Sequence, residues 1–291
     1  MWNYHQEHAV QFIRDTLELD ESAEEIIEAI NIMYVNSVNM ELGPGHGDIT
    51  GFYPVFANMN HDCDCNTKTL KLSDNRLEVR CVKKIAAGDE ITTQYVSPDK
   101  HTKLRRRMLF KKWFFWCSCS RCCDPTECGS YLSALLCSER GCGGVMLLDN
   151  PLDEESDYCC LDCGHSFSHN YPDSLSRNAE KDLKSDISLD IIERLELFLY
   201  KHSFVFHPHH HIMINIKQRL GVMYGNCEPY RYKDLTLPML ERKIQVCDDV
   251  IRALDKVDPG LSKWRINMIN EITKARLVVK MRVNQKIFAS G

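Results

Sequence analysis

Apolar residues recur at helical intervals through positions 1–40, so this stretch reads as helical. After Asp20, Ser22-Ala23-Glu24-Glu25 has the spacing of a capping box, and Ile26, Ile27, Ile30 and Met33 follow on a 3.6-residue period. A glycine-rich break comes next, Gly43-Pro44-Gly45-His46-Gly47. Over residues 68–96 the pattern changes to alternation: Leu77, Val79 and Cys81, then Ile91–Tyr95, predict strands, with Gly88-Asp89 as a turn. From 117 to about 170, Cys, Gly, Asp and Ser prevail and apolar runs are few. That stretch is too loop-like to fold on a core of its own, and an external staple is expected. Beyond Asp173 the helical period returns to the end. Leu189, Ile192, Leu195 and Leu199 share one face, as do Leu240, Ile244, Cys247, Ile251 and Leu254. No internal repeat of fixed period is visible. The expected class is α+β, with a mixed, cysteine-stapled front and an all-helical back.

The length, 291 residues, suits about two domains of ~150 residues. Hydrophobic residues are 44% and charged residues 26%, which is ordinary for a globular chain with a real core. Lys and Arg number 36 against 41 Asp and Glu, a net charge of −5. Nucleic-acid binding is therefore not expected, because a phosphate backbone calls for a basic face. No apolar run reaches the roughly 18 residues of a membrane span. The opening Met1-Trp2-Asn3-Tyr4-His5 has no basic n-region ahead of an apolar stretch. Membrane and secreted readings are set aside, and the cytoplasm or nucleus is expected.

Cysteine changes the picture. There are 15, ten of them between Cys117 and Cys163. In a reducing compartment such clustering points to thiolates holding zinc rather than to disulfides. Cys117-Ser118-Cys119-Ser120-Arg121-Cys122 supplies three ligands, whereas a structural zinc wants four in tetrahedral array. The fourth is open between Cys123, Cys128 and a distant residue such as Cys63. A second set is complete in itself: Cys137-x4-Cys142-Gly143 and Cys160-x2-Cys163-Gly164. Each half ends in Cys-Gly, and glycine permits the tight turn behind the sulfur. His165 and His169 are substitute ligands for that set. Cys123, Cys128 and Cys159 read as spare thiols; Cys81, Cys227 and Cys247 read as small buried apolar residues. A zinc closed by four thiolates leaves no open position for catalysis, so this chemistry is structural.

Four ordered motifs then stand out: Gly51-Phe52-Tyr53-Pro54, Asn60-His61-Asp62-Cys63-Asp64-Cys65-Asn66-Thr67, Gly88-Asp89-Glu90-Ile91 running to Tyr95, and Cys117-x-Cys119-x2-Cys122. Together they resemble the C-terminal half of a SET domain with its post-SET zinc segment. More closely, the chain resembles the SET/MYND (Smyd-like) family of protein-lysine methyltransferases, and among those the arthropod group that includes the msta protein. The resemblance implies a methyl transfer from S-adenosylmethionine to a protein lysine, histone or non-histone. It implies that Asn60 and His61 hold the cofactor, that Asn36 and Ser37 touch it, that Tyr95 closes the active site, and that Phe115 stacks on the cofactor. It also implies Cys63 as the fourth ligand of the first zinc. The helices after 173 would form a tetratricopeptide-like domain open to protein partners. The expected division is 1–116, a partial SET domain with a helical insertion; 117–172, the post-SET and second zinc-binding segment; and 173–291, the helical domain.

The chain departs from that pattern in places. Asp62 and Cys65 replace the usual Ser and Pro of the Asn-His motif, and Cys65 gives up the turn that proline would fix. The first SET strand with its Gly-x-Gly and the MYND finger are not found ahead of the matched motifs, so an N-terminally truncated member is expected. The rival expectation is a catalytically inactive SET-derived scaffold, zinc-stapled, that binds partners; a weaker one is a zinc-ribbon binder of nucleic acid. On pattern alone Tyr95 and His61 would be core residues, and only the flanking motifs raise them to functional positions. The basic run from Lys100 to Lys112 reads as a solvated helix face, and His207-Pro208-His209-His210-His211 as a helix-start loop rather than a metal tract.

Overall fold

The computed structural model describes residues 2–40, 49–185, 190–260 and 262–289. The Gly43–Gly47 break and Leu189 lie outside the described residues. The chain divides into two compact units. One comprises Met1–His61, Cys65–Thr93 and Lys111–Phe114; the other comprises Asp62–Asp64, Gln94–Phe110 and Phe115–Gly291.

In the first unit, helices α1 (Trp2–Leu17) and α2 (Ala23–Asn36) occupy the stretch with helical periodicity. The capping box is present in both directions: Glu25 N–H donates to the Ser22 hydroxyl, and Ser22 N–H donates to the Glu25 carboxylate at 2.9 Å. Of the apolar positions on α2, Ile26 is buried while Met33 is exposed. Strand β1 (Val38–Met40) pairs antiparallel with β2 (Ile49–Gly51), and the short helix α3 (Pro54–Ala57) follows. The alternating stretch forms the antiparallel hairpin β4 (Thr67–Lys71) and β5 (Leu77–Cys81), in register from Thr67↔Cys81 to Lys71↔Leu77. Cys81 is exposed, contrary to expectation, because it closes the open end of that two-stranded ladder. Ahead of this hairpin, β3 (Asn60–His61) runs parallel to β6 (Thr92–Thr93) beyond it.

Helix α4 (Thr102–Trp113) belongs to the second unit as far as Phe110, and α5 (Ser120–Cys123) follows. The cysteine-rich stretch is more ordered than its composition suggests. It holds an antiparallel sheet of β7 (Leu135–Leu136), β8 (Val145–Leu148), β9 (Tyr158–Cys160) and β10 (Ser166–Phe167), in the order β10-β9-β8-β7. Its core is borrowed. Leu135, Met146, Leu148 and Tyr158 are buried in one cluster with Ile192, Leu195, Phe198 and Leu220 of the helices beyond. Those helices are α6 (Tyr171–Ser185), α7 (Ile191–His202), α8 (His211–Met223), α9 (Leu237–Val257) and α10 (Lys263–Ala289), each packed on the next from α6 to α10. The helical face read from the sequence is buried at Ile192, Leu195, Leu199, Leu240, Cys247 and Leu254. Ile244 and Ile251 sit at its edge, partly buried. Lys243 is wholly buried and spends its ammonium donors on Gly221 O, Tyr224 O and Glu271 Oε2, each at 2.6 Å, which removes the penalty of an unpaired interior charge. No helix among the described residues is long and apolar enough to cross a membrane.

Candidate metal centres and cofactor residues

Two groups of four cysteines converge in the second unit: Cys63, Cys117, Cys119 and Cys122, and Cys137, Cys142, Cys160 and Cys163. Within each group the sulfurs lie no more than 4.8 Å apart. Cys63–Cys122, Cys137–Cys163 and Cys142–Cys160 all stand at 3.6 Å. A tetrahedron with ~2.3 Å metal–sulfur bonds has edges of about 3.8 Å, whereas a disulfide would need about 2 Å. Both groups therefore fit a tetrahedral thiophilic ion, and either could hold one.

The second group is built by two hairpins. Cys137 and Cys142 lie between β7 and β8; Cys160 ends β9, and Cys163 precedes β10. Cys142 N–H closes a turn on Glu139 O at 3.0 Å, and Gly164 N–H closes one on Cys160 O at 3.1 Å. The glycines behind the sulfurs, Gly143 and Gly164, have φ of 65° and 74°, as the Cys-Gly pairs predict. Hydrogen bonds from the Cys163 and Asp162 backbone draw the Cys160 thiol down to about 7. Gly144 was not foreseen. A Cβ there would stand 2.8 Å from Cys160 Sγ and 2.7 Å from Asp162 Oδ2, so only glycine lets β8 pass this close to the ligand loop. The signal was available in the doubled glycine after Cys142. His165 pairs with Glu139 at 3.1 Å, and neither it nor His169 joins the four-sulfur set.

The first group answers the open ligand question. Cys63, from the Asn-His motif, joins Cys117, Cys119 and Cys122, whereas Cys123 and Cys128 stand outside the set. Cys63 and Cys122 are fully buried. Cys119 is the N-cap residue of α5, and Cys122 N–H returns to Cys119 O at 2.9 Å, which places two of the ligands on one turn. Hydrogen bonds from the Cys117 and Cys122 thiols draw Cys119 down to about 7, while Cys117 and Cys122 are pushed up. Among the described residues, no His group matches either set, and the histidine tract serves the helix instead: His210 caps α8 by accepting from Ile212 N–H.

The basic run of α4 is only in part the solvated face that its charge suggests: Arg107 and Lys111 are exposed. Lys103, Arg105 and Arg106 are buried. Lys103 Nζ donates to Glu154 O at 2.9 Å, and Arg106 donates to Cys117 O at 3.0 Å and Leu152 O at 2.6 Å. These cations tie the metal-binding segment to the helix by capping its loop carbonyls.

Of the expected cofactor residues, Asn36, Ser37, Asn60 and His61 fall in the first unit, and Tyr95 and Phe115 in the second. Asn36 and Ser37 end α2: Asn36 Nδ2 donates to Ile32 O at 2.9 Å, and Ser37 N–H to Met33 O at 2.9 Å. The Ser37 hydroxyl is buried with no hydrogen-bond partner among the described residues. On β3, Asn60 stands opposite Thr92 and His61 opposite Thr93, so two motifs thirty residues apart form one parallel ladder. Asn60 Nδ2 donates to Glu90 Oε1 at 2.6 Å. Asn66, overlooked as a site residue, stitches the same place: its side chain donates to Glu90 O at 2.8 Å and accepts from Thr92 N–H at 2.9 Å. Cys65, in the proline position, is buried and donates its thiol to Thr67 O at 3.0 Å, closing by hydrogen bond a turn that a ring would have closed covalently. Tyr95 and Phe115 are both half-buried. Burial raises the Tyr95 phenol above its ordinary value.

Residues 8–96 match the family model of the SET domain. Among curated relatives, the SET domain-containing protein SmydA-8, isoform A, of Drosophila melanogaster is 36% identical over 121 residues, covering 42% of this chain and 26% of that protein. A SET and MYND domain-containing protein of Dictyostelium discoideum is 29% identical over 104 residues, covering 33% of this chain and 30% of its own. The histone-lysine N-methyltransferase Smyd1 of Mus musculus is 32% identical over 96 residues, covering 29% and 20%. The matched segments thus span between a fifth and a third of the length of these relatives. Residues 8–96, which span the Asn-His motif, thus carry the SET-domain match, and the chain is similar to relatives of the SET-and-MYND kind.

Proposed function

We propose that this chain serves a protein-lysine N-methyltransferase that uses S-adenosylmethionine, with two structural zinc ions. The observation that carries the reading is the β3–β6 ladder, which sets Asn60 and His61 beside Thr92 and Thr93, two residues before Tyr95. The residues present also suit the cofactor: the buried Ser37 hydroxyl has no hydrogen-bond partner among the described residues and is a donor-acceptor that a ligand would satisfy. When bound, S-adenosylmethionine supplies a methyl group on a sulfonium for in-line displacement. Asn36, Ser37, Asn60 and His61 bind it by hydrogen bonds, and Phe115 offers an aromatic face. The Tyr95 hydroxyl, protonated at neutral pH as any phenol is, orients the acceptor amine. Catalysis of this kind is alignment and exclusion of water, since the lysine reacts as the neutral amine and no protein base is required.

The zinc ions staple 117–172, between a partial SET domain at 1–116 and a tetratricopeptide-like helical domain at 173–291 that is open to protein partners. The Drosophila relative supports placement in the arthropod group. The methyl acceptor is a lysine of a histone or another protein, as the name of the mouse relative suggests, and the site of action is the nucleus or cytoplasm. Calorimetric titration of S-adenosylhomocysteine into the zinc-loaded chain tests the reading. Binding near about 1 μM (roughly −8 kcal/mol) that is lost in Asn60→Ala is the expected result. An intact, zinc-loaded chain that does not bind would make it a scaffold with the outline of an enzyme.

A further inference from the structure

We infer that Arg105 is the positioning residue of the first thiolate group, a protein-supplied cation that holds Cys63 and Cys122 together and balances their charge. The inference rests on the proposal that this group holds zinc. Four thiolates around a divalent ion carry a net charge of about −2. In the open that charge is solvated; here Cys63 is 1% exposed and Cys122 0%, and a buried charge must be answered by the protein.

Arg105, itself 0% exposed, answers it. Its Nε donates to Cys63 Sγ at 3.2 Å and its Nη2 to Cys122 Sγ at 3.6 Å. The remaining donors are also taken: Nη1 by Glu127 Oε2 and Lys100 O, each at 2.6 Å, and Nη2 by the Thr102 hydroxyl at 2.9 Å. All five N–H groups of the fork therefore have an acceptor, which locks the guanidinium in one orientation. Glu127 is 1% exposed and is shared with Arg121, whose Nη2 lies 3.8 Å away. Arg121 in turn donates to Pro98 O at 2.8 Å and Cys63 O at 3.5 Å.

The two sulfurs that Arg105 touches come from segments 59 residues apart. One follows the Asn-His motif; the other ends the Cys-x-Cys-x2-Cys run. A single cation in contact with both pre-assembles half of the tetrahedron. A lysine could not do the same, because a point charge lacks the fork.

Release of zinc to a chelating dye from the full chain tests this. The wild-type chain should carry about two zinc ions. Arg105→Gln should release one of them about 10–100-fold faster, the range for loss of a residue that orients a metal ligand, and leave the other at the wild-type rate. Arg105→Lys, which keeps the charge without the fork, should fall between. In the cobalt-loaded protein the thiolate-to-metal charge-transfer band should shift in Arg105→Gln, a readout that simple loosening of the fold would not move. Equal acceleration of both zinc ions in Arg105→Gln would mean general destabilisation and would overturn the inference. If Arg105→Gln fails to fold, Glu127→Gln, which leaves the cation but frees it, should still speed release of one zinc severalfold, and an unchanged rate would overturn the inference. A wild-type chain without zinc would instead sink the zinc reading itself, and this inference with it.

Discussion

The two cysteine groups make the same tetrahedron by opposite means. The second is local and assembled by backbone: paired hairpins, turns closed by N–H groups, and glycines where the chain must double back. Its Cys163 is exposed. The first is non-local and assembled by side chains: Cys63 arrives from a distant motif, and buried Arg105, Arg121 and Glu127 surround it. A backbone-built site can be recognised from spacing alone, since every part of it lies within a few residues of a ligand. A site built by side chains depends on the packing of the whole unit, so it is more deeply buried and more easily misread.

The largest expected effect separates the groups by metal content. Cys63→Ser should lower bound zinc from about two per chain to about one, and so should Cys160→Ser, with none left in the double variant. Unchanged stoichiometry in Cys63→Ser would break the assignment of that residue. Because structural zinc supplies folding energy, chelation should also open residues 117–170 to protease, and unaltered resistance there would count against both sites. Next in size is Gly144→Ala. The added methyl would meet Cys160 Sγ at 2.8 Å, a clash worth about 1–3 kcal/mol. Denaturation with zinc readout should show the second site weakened and the first untouched; equal loss at both would blur the distinction drawn here.

Acid gives the broadest and least site-specific effect. Burial lowers His101 and His207 to about 4 and holds His210 and His211 well below the ordinary imidazole value. The unfolded chain therefore binds more protons than the folded one below about pH 6.5, so this stability is fully present above that pH and is lost as pH falls toward 4. The melting temperature of the zinc-loaded chain should fall across that window, and His101→Phe should flatten the slope. A flat profile in the wild-type chain would mean that these rings are not held neutral. Zinc lost on acidification should be compared with this helical unfolding before it is assigned to either site.

Much of the fold was legible. The capping box at Ser22 and Glu25, the strand at Leu77–Cys81 and the helices beyond Asp173 rest on periodicities of a few residues, which local sterics and amphipathic burial impose directly. The second cysteine group was legible for the same reason. The partner of the Leu77–Cys81 strand, Thr67–Lys71, was not read: the turn expected at Gly88-Asp89 is not the one that joins the hairpin. The cysteine-rich stretch was read as having no core of its own, and its apolar residues, Met146, Leu148 and Tyr158, do share one core with the helices beyond. Its four-stranded sheet was what went unread, because those strands are only two to four residues long. The basic run of α4 was read correctly at Arg107 and Lys111 but not at Lys103, Arg105 and Arg106, because charge in a sequence carries no mark of burial. Lys103 and Arg106 cap loop carbonyls, and Arg105 reaches two sulfurs, only once α4 packs against the segment around Cys117–Cys122.

By itself, then, the sequence determined the element types, the four thiolates of the second group and the motifs that carry the SET resemblance, because each is written in residues close together along the chain. The tertiary structure decided which distant cysteine completes the first group, which strand lies beside Asn60 and His61, and which cations are buried. Those are questions of long-range pairing, settled by the packing of whole elements and by the need to leave no charge or donor unanswered in a dry interior.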